Sequence, residues 1–339
     1  MPRRSGIEGP VSGPAAPGRR SERASEIPLL SVQGRTLPEA WERAVVATWR
    51  EGAAVRTQYD KPGDPPSRDA TVAIEVAEPL GEPRLHRSFP AGLEELEIYV
   101  QEVVWGVHDS WIRPDEQKWS YTYHQRLFAY DVIDDFADSP TGGPFGPVDQ
   151  VAAMVEELAA CGHTRRAQAI TWMPTVDRGH AEPPCLQRVW CRLAGAEGEA
   201  SRLVMNTHWR SRDAYKAAFM NMVALTTLQS EIARRLGERL GRAVGLGRYV
   251  DISDSFHLYG SYFGEIERNF LALIEQRPFE ARTWRTDEVG DLLLMGRVQL
   301  INGKPGEPPL APEQIARLYA SLPESHRGLV EGAVRDRLT

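Results

Sequence analysis

Residues 183–221 read PPCLQRVWCRLAGAEGEASRLVMNTHWRSRDAYKAAFMN. The segment predicts a proline-marked turn, strands at Leu186–Leu193 and Leu203–Thr207, and the start of an apolar helix over Ala214–Leu236. A helix of that length and apolarity is expected at the centre of the core. Helices and strands follow one another without strict strand–helix–strand alternation, which favours an α+β fold with a mixed or antiparallel sheet.

Further helices and strands are predicted before and after residues 183–221. Helices are expected at Leu37–Glu51, Gly92–Val107, Val148–Ala160, Gly264–Gln276 and Pro312–Leu322. Strands are expected at Thr71–Val76, Ala167–Trp172, Tyr249–Ile252 and Leu292–Leu300, and a loop at Tyr59–Asp69. Residues 1–26, rich in Gly, Pro, Ser and Arg, predict a disordered tail, and residues 27–339 predict a single domain.

Composition limits the possible classes of protein. The 339 residues are 42% hydrophobic with a net charge of -7, which indicates a soluble globular protein without a basic field for a nucleic-acid polymer. No apolar run approaches the ~20 residues of a membrane helix, and the N-terminus lacks the apolar stretch of a secretory signal. Three cysteines fit neither a disulfide framework nor a zinc-type spacing. We therefore expect a cytoplasmic protein without a membrane partner.

Cys185 is the candidate nucleophile. A lone cysteine is more often structural, but this one lies on a Pro-Pro turn that leads into a strand, where the sulfur can face a site. A reactive thiolate needs positive neighbours, which Arg210 and Arg212 could supply. Cys191, in an apolar stretch, and Cys161, before a glycine, are interpreted as structural.

Several motifs in this order resemble the thymidylate synthase and pyrimidine hydroxymethylase superfamily, over residues 56–259. The resemblance rests on Glu102 before Val103-Val104-Trp105, Thr164-Arg165-Arg166, Pro184-Cys185, Arg210-Ser211-x-Asp213, Asn221 and His257-x-Tyr259. Leu186 stands where the family usually has a histidine. The family's glycine-leucine-proline is also replaced, by Ala217-Ala218-Phe219-Met220 before Asn221.

The resemblance implies a thymidylate synthase-like fold with a large twisted sheet, flanking helices and sheet-to-sheet dimerisation. It implies that Cys185 adds to C6 of a pyrimidine, that Glu102 moves protons through water, and that Tyr123 or Tyr121 lines the pocket. Asp213 and Trp111 are expected to contact 5,10-methylenetetrahydrofolate. The residues expected to bind the nucleotide are Arg210, Ser211, Asn221, His257, Tyr259, Arg68 (or Arg56 in its place) and, from the partner of a homodimer, Arg165 and Arg166.

Two departures from the family bear on the product. The final residues, Val334 to Thr339, are charged and form a poor apolar lid, and the segment before Asn221 is altered. Both favour admission of water and hence hydroxymethylation over methylation. The chain resembles the CMP 5-hydroxymethylases of nucleoside-antibiotic biosynthesis, such as that for mildiomycin, which makes CMP the expected substrate and dCMP a weaker one. Alternatives are a thymidylate synthase acting on dUMP and a non-catalytic nucleotide-binding member.

Overall fold

The computed structural model describes residues 26–113, 119–130, 147–195 and 201–338. Apart from Glu26, the predicted N-terminal tail lies outside the described residues. The prediction of one domain over residues 27–339 stays a prediction.

Ten strands and twelve α-helices are present in the described ranges. The strands are β1 (Leu29–Gly34), β2 (Ala53–Val55), β3 (Ser67–Val76), β4 (Leu85–His86), β5 (Gln168–Ile170), β6 (Leu186–Ala194), β7 (Arg202–Trp209), β8 (Arg212–Asp213), β9 (Gly245–Leu258) and β10 (Thr283–Trp284). The helices are α1 (Leu37–Glu51), α2 (Leu93–Trp105), α3 (Tyr123–Phe128), α4 (Gln150–Ala160), α5 (Pro174–Asp177), α6 (Ala218–Leu240), α7 (Phe263–Ile266), α8 (Ala272–Gln276), α9 (Gly290–Asn302), α10 (Pro312–Ser321), α11 (Glu324–Arg327) and α12 (Glu331–Leu338).

An eight-stranded mixed sheet organises the chain. Its strands follow the order β1-β3-β9-β7-β6-β5, while β2 pairs with β3 and β8 with β9. β1 is parallel to β3, and β7 and β8 are parallel to β9, whereas the β3–β9, β7–β6 and β6–β5 pairs are antiparallel. The predicted α+β class with a large mixed sheet is confirmed.

The main core lies between this sheet and helices α1, α4 and α6. Trp41 of α1 is fully buried, packs against Phe219 and Phe270, and donates an indole hydrogen bond of 2.8 Å to the Ala214 carbonyl oxygen. Thirteen residues of α6 are buried. The predicted central position of this helix is therefore confirmed, although the helix itself begins at Ala218 rather than Ala214.

A smaller core lies at the C-terminal side and corrects one prediction. Leu292–Leu300 was expected as a strand because it is a short apolar run, but it lies in helix α9. Periodicity cannot separate a strand from a helix that is contacted on several sides. α9 packs on α2 so closely that a Cβ atom added at Gly296 would stand 2.5 Å from the Glu94 carbonyl oxygen. Its other side packs against α10 and α12.

Two further boundaries differ from the predictions. The predicted loop Tyr59–Asp69 ends before Ser67, because Ser67–Asp69 pairs with Ala53–Val55 in β2. The prediction that Arg68 lies on a loop is therefore wrong. Strand β9 runs over fourteen residues instead of the predicted Tyr249–Ile252, since pairing with β3, β7 and β8 stabilises its more polar ends.

None of the helices that the structure describes is both long and apolar enough to cross a membrane.

Candidate active site

The turn that carries Cys185 is held by one arginine. The Arg210 guanidinium donates hydrogen bonds of 2.7 Å to the Pro183 carbonyl oxygen and 3.0 Å to that of Pro184. The backbone N–H of Arg210 donates to the Cys185 carbonyl oxygen at 2.9 Å. Cys185 is thus half-buried immediately before β6, at a strand end, as its sequence context predicts.

Burial raises the pKa of the Cys185 thiol, and two arginines oppose this effect. Arg210 is the larger lowering influence on the pKa and Arg212 the second, while Glu182 adds to the increase. The net shift is upward. In the free protein the thiol is therefore mostly protonated at neutral pH, and a nearby positive charge governs how much thiolate forms.

Arg212 is fixed behind the site by a buried ion pair. One of its terminal nitrogens donates to Asp251 Oδ2 at 2.8 Å, and the other donates to Asp251 Oδ1. The Tyr249 hydroxyl donates to the same carboxylate at 2.5 Å. The guanidinium carbon also lies 4.9 Å from the centre of the Trp209 ring. Arg212 therefore contributes charge to the site from a fixed position.

Two tyrosines flank Cys185. The Tyr123 hydroxyl oxygen accepts the backbone N–H groups of Cys185 at 3.3 Å and Leu186 at 3.4 Å. The Tyr121 ring lies 6.0 Å from that of Tyr123. Burial, followed by the Cys185 charge, raises the pKa of Tyr121. Both phenols are thus neutral and near the sulfur, and Tyr123 is the one that orients the cysteine backbone.

Glu102 belongs to a polar group on the inner side of α2. Its carboxylate lies 3.0 Å from His108 Nδ1. Tyr99, one helical turn earlier, accepts a 2.6 Å hydrogen bond from the amide nitrogen of the buried Asn221. Burial, followed by the Glu102 charge, raises the pKa of Tyr99. The structure therefore places Glu102, Tyr99 and Asn221 in one neighbourhood.

His257 and Tyr259 lie together at the end of β9. Their ring centres are 4.7 Å apart. Burial lowers the pKa of His257 to about 4, so the imidazole is neutral at pH 7. Ser255 Oγ lies 3.2 Å from His257 Nδ1 and donates to the Asp69 carboxylate at 2.9 Å. Burial, followed by the Asp213 charge, raises the pKa of Tyr259 to about 12, and the Cys185 charge acts in the same direction.

Two further residues with predicted binding roles, Ser211 and Asp213, lie in the same segment as Arg210. Ser211 is half-buried beside Arg210, and Asp213 accepts the backbone N–H groups of Tyr215 at 2.9 Å and Lys216 at 2.8 Å. Burial raises the pKa of Asp213, and those hydrogen bonds oppose the increase.

Arg68 and Arg56 are alternative predictions for one phosphate-binding arginine, and their side chains have different hydrogen-bond partners. Arg68 pairs with Leu258 in the sheet, next to His257, and its guanidinium donates to the Gly52 carbonyl oxygen at 3.4 Å. Arg56 instead donates to the Asp64 carbonyl oxygen at 2.7 Å within the loop. Arg68 is therefore the one placed beside the His257 end of the group.

Arg165 and Arg166 are not brought to the Cys185 group within one chain. Both are exposed in the turn between α4 and β5, and 84% of the Arg166 side chain is exposed. Its ion-pair neighbour is Glu157, at 3.9 Å.

Comparison with known proteins identifies the family of this chain. No family model matches the chain. A protein of Methanopyrus kandleri, provisionally named a thymidylate synthase, is 31% identical over 208 residues, which are 61% of this chain and 85% of that protein. The chain belongs to the thymidylate synthase family. A relative with the same provisional name from Methanocaldococcus jannaschii is 26% identical over 238 residues, 68% of this chain and 91% of that protein.

A solved structure confirms the predicted thymidylate synthase-like fold. Thermostable thymidylate synthase A of Bacillus subtilis superposes with a TM-score of 0.51 at 16% identity, over 72% of this chain and 86% of that chain. At this identity the likeness concerns the fold alone.

Trp111 lies close to Glu102 in this member of the thymidylate synthase family. Its ring stacks on His108 at 3.9 Å, and its buried indole N–H has no hydrogen-bond partner among the described residues. A cavity of 230 Å³ is lined by both residues, by Glu102 and by Lys304 and Arg337 of the C-terminal region. An aromatic group with polar edges and an anionic end suits this lining.

Sequence reasoning missed Tyr99 and His108. Tyr99 precedes Glu102 by three positions, a spacing that places both side chains on one helix face and could have indicated a shared role. His108 follows the left-handed Gly106, which ends α2 and turns the chain back towards Glu102. The Asn221 partner of Tyr99 is 122 positions away, and no local pattern indicates that contact.

The pKa of Cys185 gives the first prediction. The rate of Cys185 alkylation by iodoacetamide, followed by peptide mass spectrometry, should rise with pH and reach its midpoint above the ordinary thiol value of about 8.5. Arg210→Met should move the midpoint still higher, because it removes the larger positive influence.

Arg188→Met is the matched control, since it removes an exposed arginine of β6 and should leave the profile unchanged. Buried Cys191 should remain unlabelled in the folded protein. A wild-type midpoint below 8, or a profile that Arg210→Met does not move, would contradict the electrostatic account.

Proposed function

We propose that this protein transfers a one-carbon unit from 5,10-methylenetetrahydrofolate to C5 of CMP and produces 5-hydroxymethyl-CMP. The observation that carries the proposal is the convergence of Cys185 and Arg210 with two tyrosines at a strand end, next to the Tyr99–Asn221–Glu102 group. This chemistry requires a nucleophile, a cation that binds the phosphate, an amide that contacts the base edge and a carboxylate.

In this mechanism the Cys185 sulfur forms a bond to C6 of the pyrimidine. The electron pair of the C5–C6 double bond then becomes available at C5, where the new carbon–carbon bond forms. Tyr123 holds the Cys185 backbone so that the sulfur faces the ring. Loss of the C5 proton, with the folate nitrogen leaving the transferred carbon, would give an exocyclic methylene at C5. Addition of a water oxygen to that carbon would return the electron pair to the C5–C6 bond, expel the Cys185 sulfur as thiolate and, after loss of a proton, leave the hydroxymethyl group. Glu102, coupled to His108, accepts and returns protons through water.

The nucleotide phosphate is assigned to Arg210 and Ser211. Two of the five N–H groups of Arg210 are used by Pro183 and Pro184, which leaves three for phosphate oxygens. Arg210 would then bind the phosphate and also hold the turn that carries Cys185. Arg68 and, from a partner subunit, Arg165 and Arg166 complete the proposed phosphate site.

Asn221 is assigned to the base. One of its amide hydrogens goes to Tyr99, so its carbonyl oxygen and one N–H remain for a ligand. The oxygen can accept from the exocyclic amino group of cytosine while the N–H donates to N3. A uracil ring would use the same two groups in the opposite sense, and dUMP is therefore the second candidate substrate, one that the names of the relatives favour.

The folate supplies the one-carbon unit when it is bound. The cavity beside Glu102 fits part of such a molecule, because Trp111 offers an unpartnered N–H and an aromatic face. Lys304 and Arg337 suit a carboxylate tail. We assign Trp111 and Asp213 to folate binding.

Hydroxymethylation is proposed over methylation because the charged C-terminal residues and the altered segment before Asn221 favour admission of water to the site. Glu102 and its neighbour His108 can activate such a water for addition at the new carbon. The proposed product is therefore the alcohol.

A two-fold homodimer is part of the proposal. The helices cover the sheet face that buries Leu203 and Met205, whereas the alternate residues Val204, Val250 and Ile252 lie on the opposite face and remain half-buried. A half-apolar sheet face of this kind suits back-to-back pairing with a second copy. Such pairing would bring the exposed Arg165 and Arg166 of one subunit to the site of the other.

The product identifies the reaction. We expect mass spectrometry to show a hydroxymethyl adduct when CMP is incubated with the protein and methylenetetrahydrofolate, and no adduct with Cys185→Ala. dCMP, UMP and dUMP are tested in parallel. A methyl adduct on dUMP, with dihydrofolate formed, would instead establish thymidylate synthesis. Nucleotide binding without turnover of any of the four would favour a non-catalytic member.

The shared site is tested by mixing two inactive variants. Cys185→Ala and the double variant Arg165→Ala/Arg166→Ala should each lose turnover, whereas an exchanged mixture should recover about a quarter of the wild-type rate, because each mixed dimer retains one intact site. A mixture of Cys185→Ala with Cys185→Ser is the matched control and should recover nothing. Mixed dimers that form but remain inactive would contradict the shared site.

A further inference from the structure

A second, larger cavity lies on the opposite side of α2 from the candidate active site. Its volume is about 550 Å³, within the roughly 300–1,000 Å³ of small-molecule sites. Its apolar wall comes from three helices, with Leu96 and Val100 of α2, Val223 of α6 and Leu293 of α9. The cavity shares no lining residue with the smaller cavity beside Glu102.

Arg84 places a cation in this apolar wall. Its hydrogen bonds run to neutral oxygens: to the Pro79 carbonyl at 3.3 Å and, on α6, to the Thr227 hydroxyl at 3.1 Å, the Thr226 hydroxyl and the Val223 carbonyl. Burial lowers its pKa to about 10, which the Glu82 and Glu97 charges oppose, and it remains charged at neutral pH. In the described part of the chain, no carboxylate forms an ion pair with it.

The other charged groups of the wall have hydrogen-bond partners within the protein, although Glu82 is bonded to a neutral N–H group and keeps its charge. Glu97 accepts a hydrogen bond of 2.7 Å from Arg297 and one of 2.6 Å from the Gln101 amide. Glu82 accepts the backbone N–H of Thr286 at 3.1 Å. Arg84 is therefore the cation whose charge a ligand can still compensate, and the remaining lining is mainly aliphatic.

We propose that this cavity binds a small amphipathic monoanion, with its carboxylate or sulfonate on Arg84 and its apolar body along Leu96, Val100 and Leu293. A ligand of this class supplies the anionic partner that Arg84 lacks and removes the aliphatic wall from water. The site is independent of the proposed catalytic function. α2 separates the two, with Tyr99 and Glu102 towards the active site and Leu96 and Val100 towards this cavity.

Binding of 8-anilinonaphthalene-1-sulfonate to the full chain, followed by fluorescence, tests the proposal. We expect saturable binding that excess CMP does not displace. Arg84→Met should weaken it by about tenfold or more, since a charge-assisted contact is lost. Binding of the neutral analogue N-phenyl-1-naphthylamine should change by less than about twofold. Displacement by CMP, or equal losses for both probes, would overturn the assignment.

A second variant tests the cavity without changing Arg84 or its hydrogen bonds. Ser230→Trp fills the cavity from α6 and should abolish binding of both probes. Glu238→Trp adds the same side chain at an exposed position of α6 outside the cavity and should bind as the wild type does. Unchanged sulfonate binding in Ser230→Trp would overturn the proposal even if Arg84→Met fails to fold.

Discussion

The buried ion pair between Arg212 and Asp251 fixes the part of the chain on which the candidate site depends. Two charges in the core are stable only as a well-bonded pair, and removing one partner typically costs about 3–5 kcal/mol. The pair joins β8 to β9, next to the point where the Ala214 N–H donates to the His257 carbonyl oxygen. Arg210, two residues earlier, holds the turn of Cys185.

This arrangement explains why one short segment serves several roles. Arg210 is turned towards the turn of Cys185, while Arg212 is turned into the core and still adds positive charge near the sulfur. Burial alone would leave Cys185 a poor nucleophile, because it disfavours the thiolate. Arg210 and Arg212 oppose that effect on the pKa of Cys185. In the proposed mechanism, Arg210 would connect the substrate phosphate with Cys185.

Local patterns predicted much of the fold and the main site motifs, whereas contacts between distant segments could not be predicted. Helix Leu37–Glu51 agreed residue for residue, because its spacing and proline start are local signals. The Leu292–Leu300 segment was misassigned, since only packing against α2 and the C-terminal helices decides its state. The motifs indicated Cys185, Glu102 and Asn221, but Tyr99 joins Asn221 through tertiary structure. The proposed role of Arg165 and Arg166 involves a partner chain, which local patterns do not describe.

The most direct test of the central claim is covalent capture of Cys185 by a pyrimidine that cannot complete the reaction. Fluorine at C5 of 5-fluoro-CMP cannot leave as a proton, so the bond between the sulfur and C6 should persist. Intact-protein mass spectrometry in the presence of methylenetetrahydrofolate should show the added mass of one nucleotide together with one methylenetetrahydrofolate, since the folate cannot leave without loss of a C5 proton. Peptide mapping should locate this adduct on Cys185. An adduct that survives in Cys185→Ala, or no adduct with 5-fluoro-CMP or 5-fluoro-dUMP, would contradict the account.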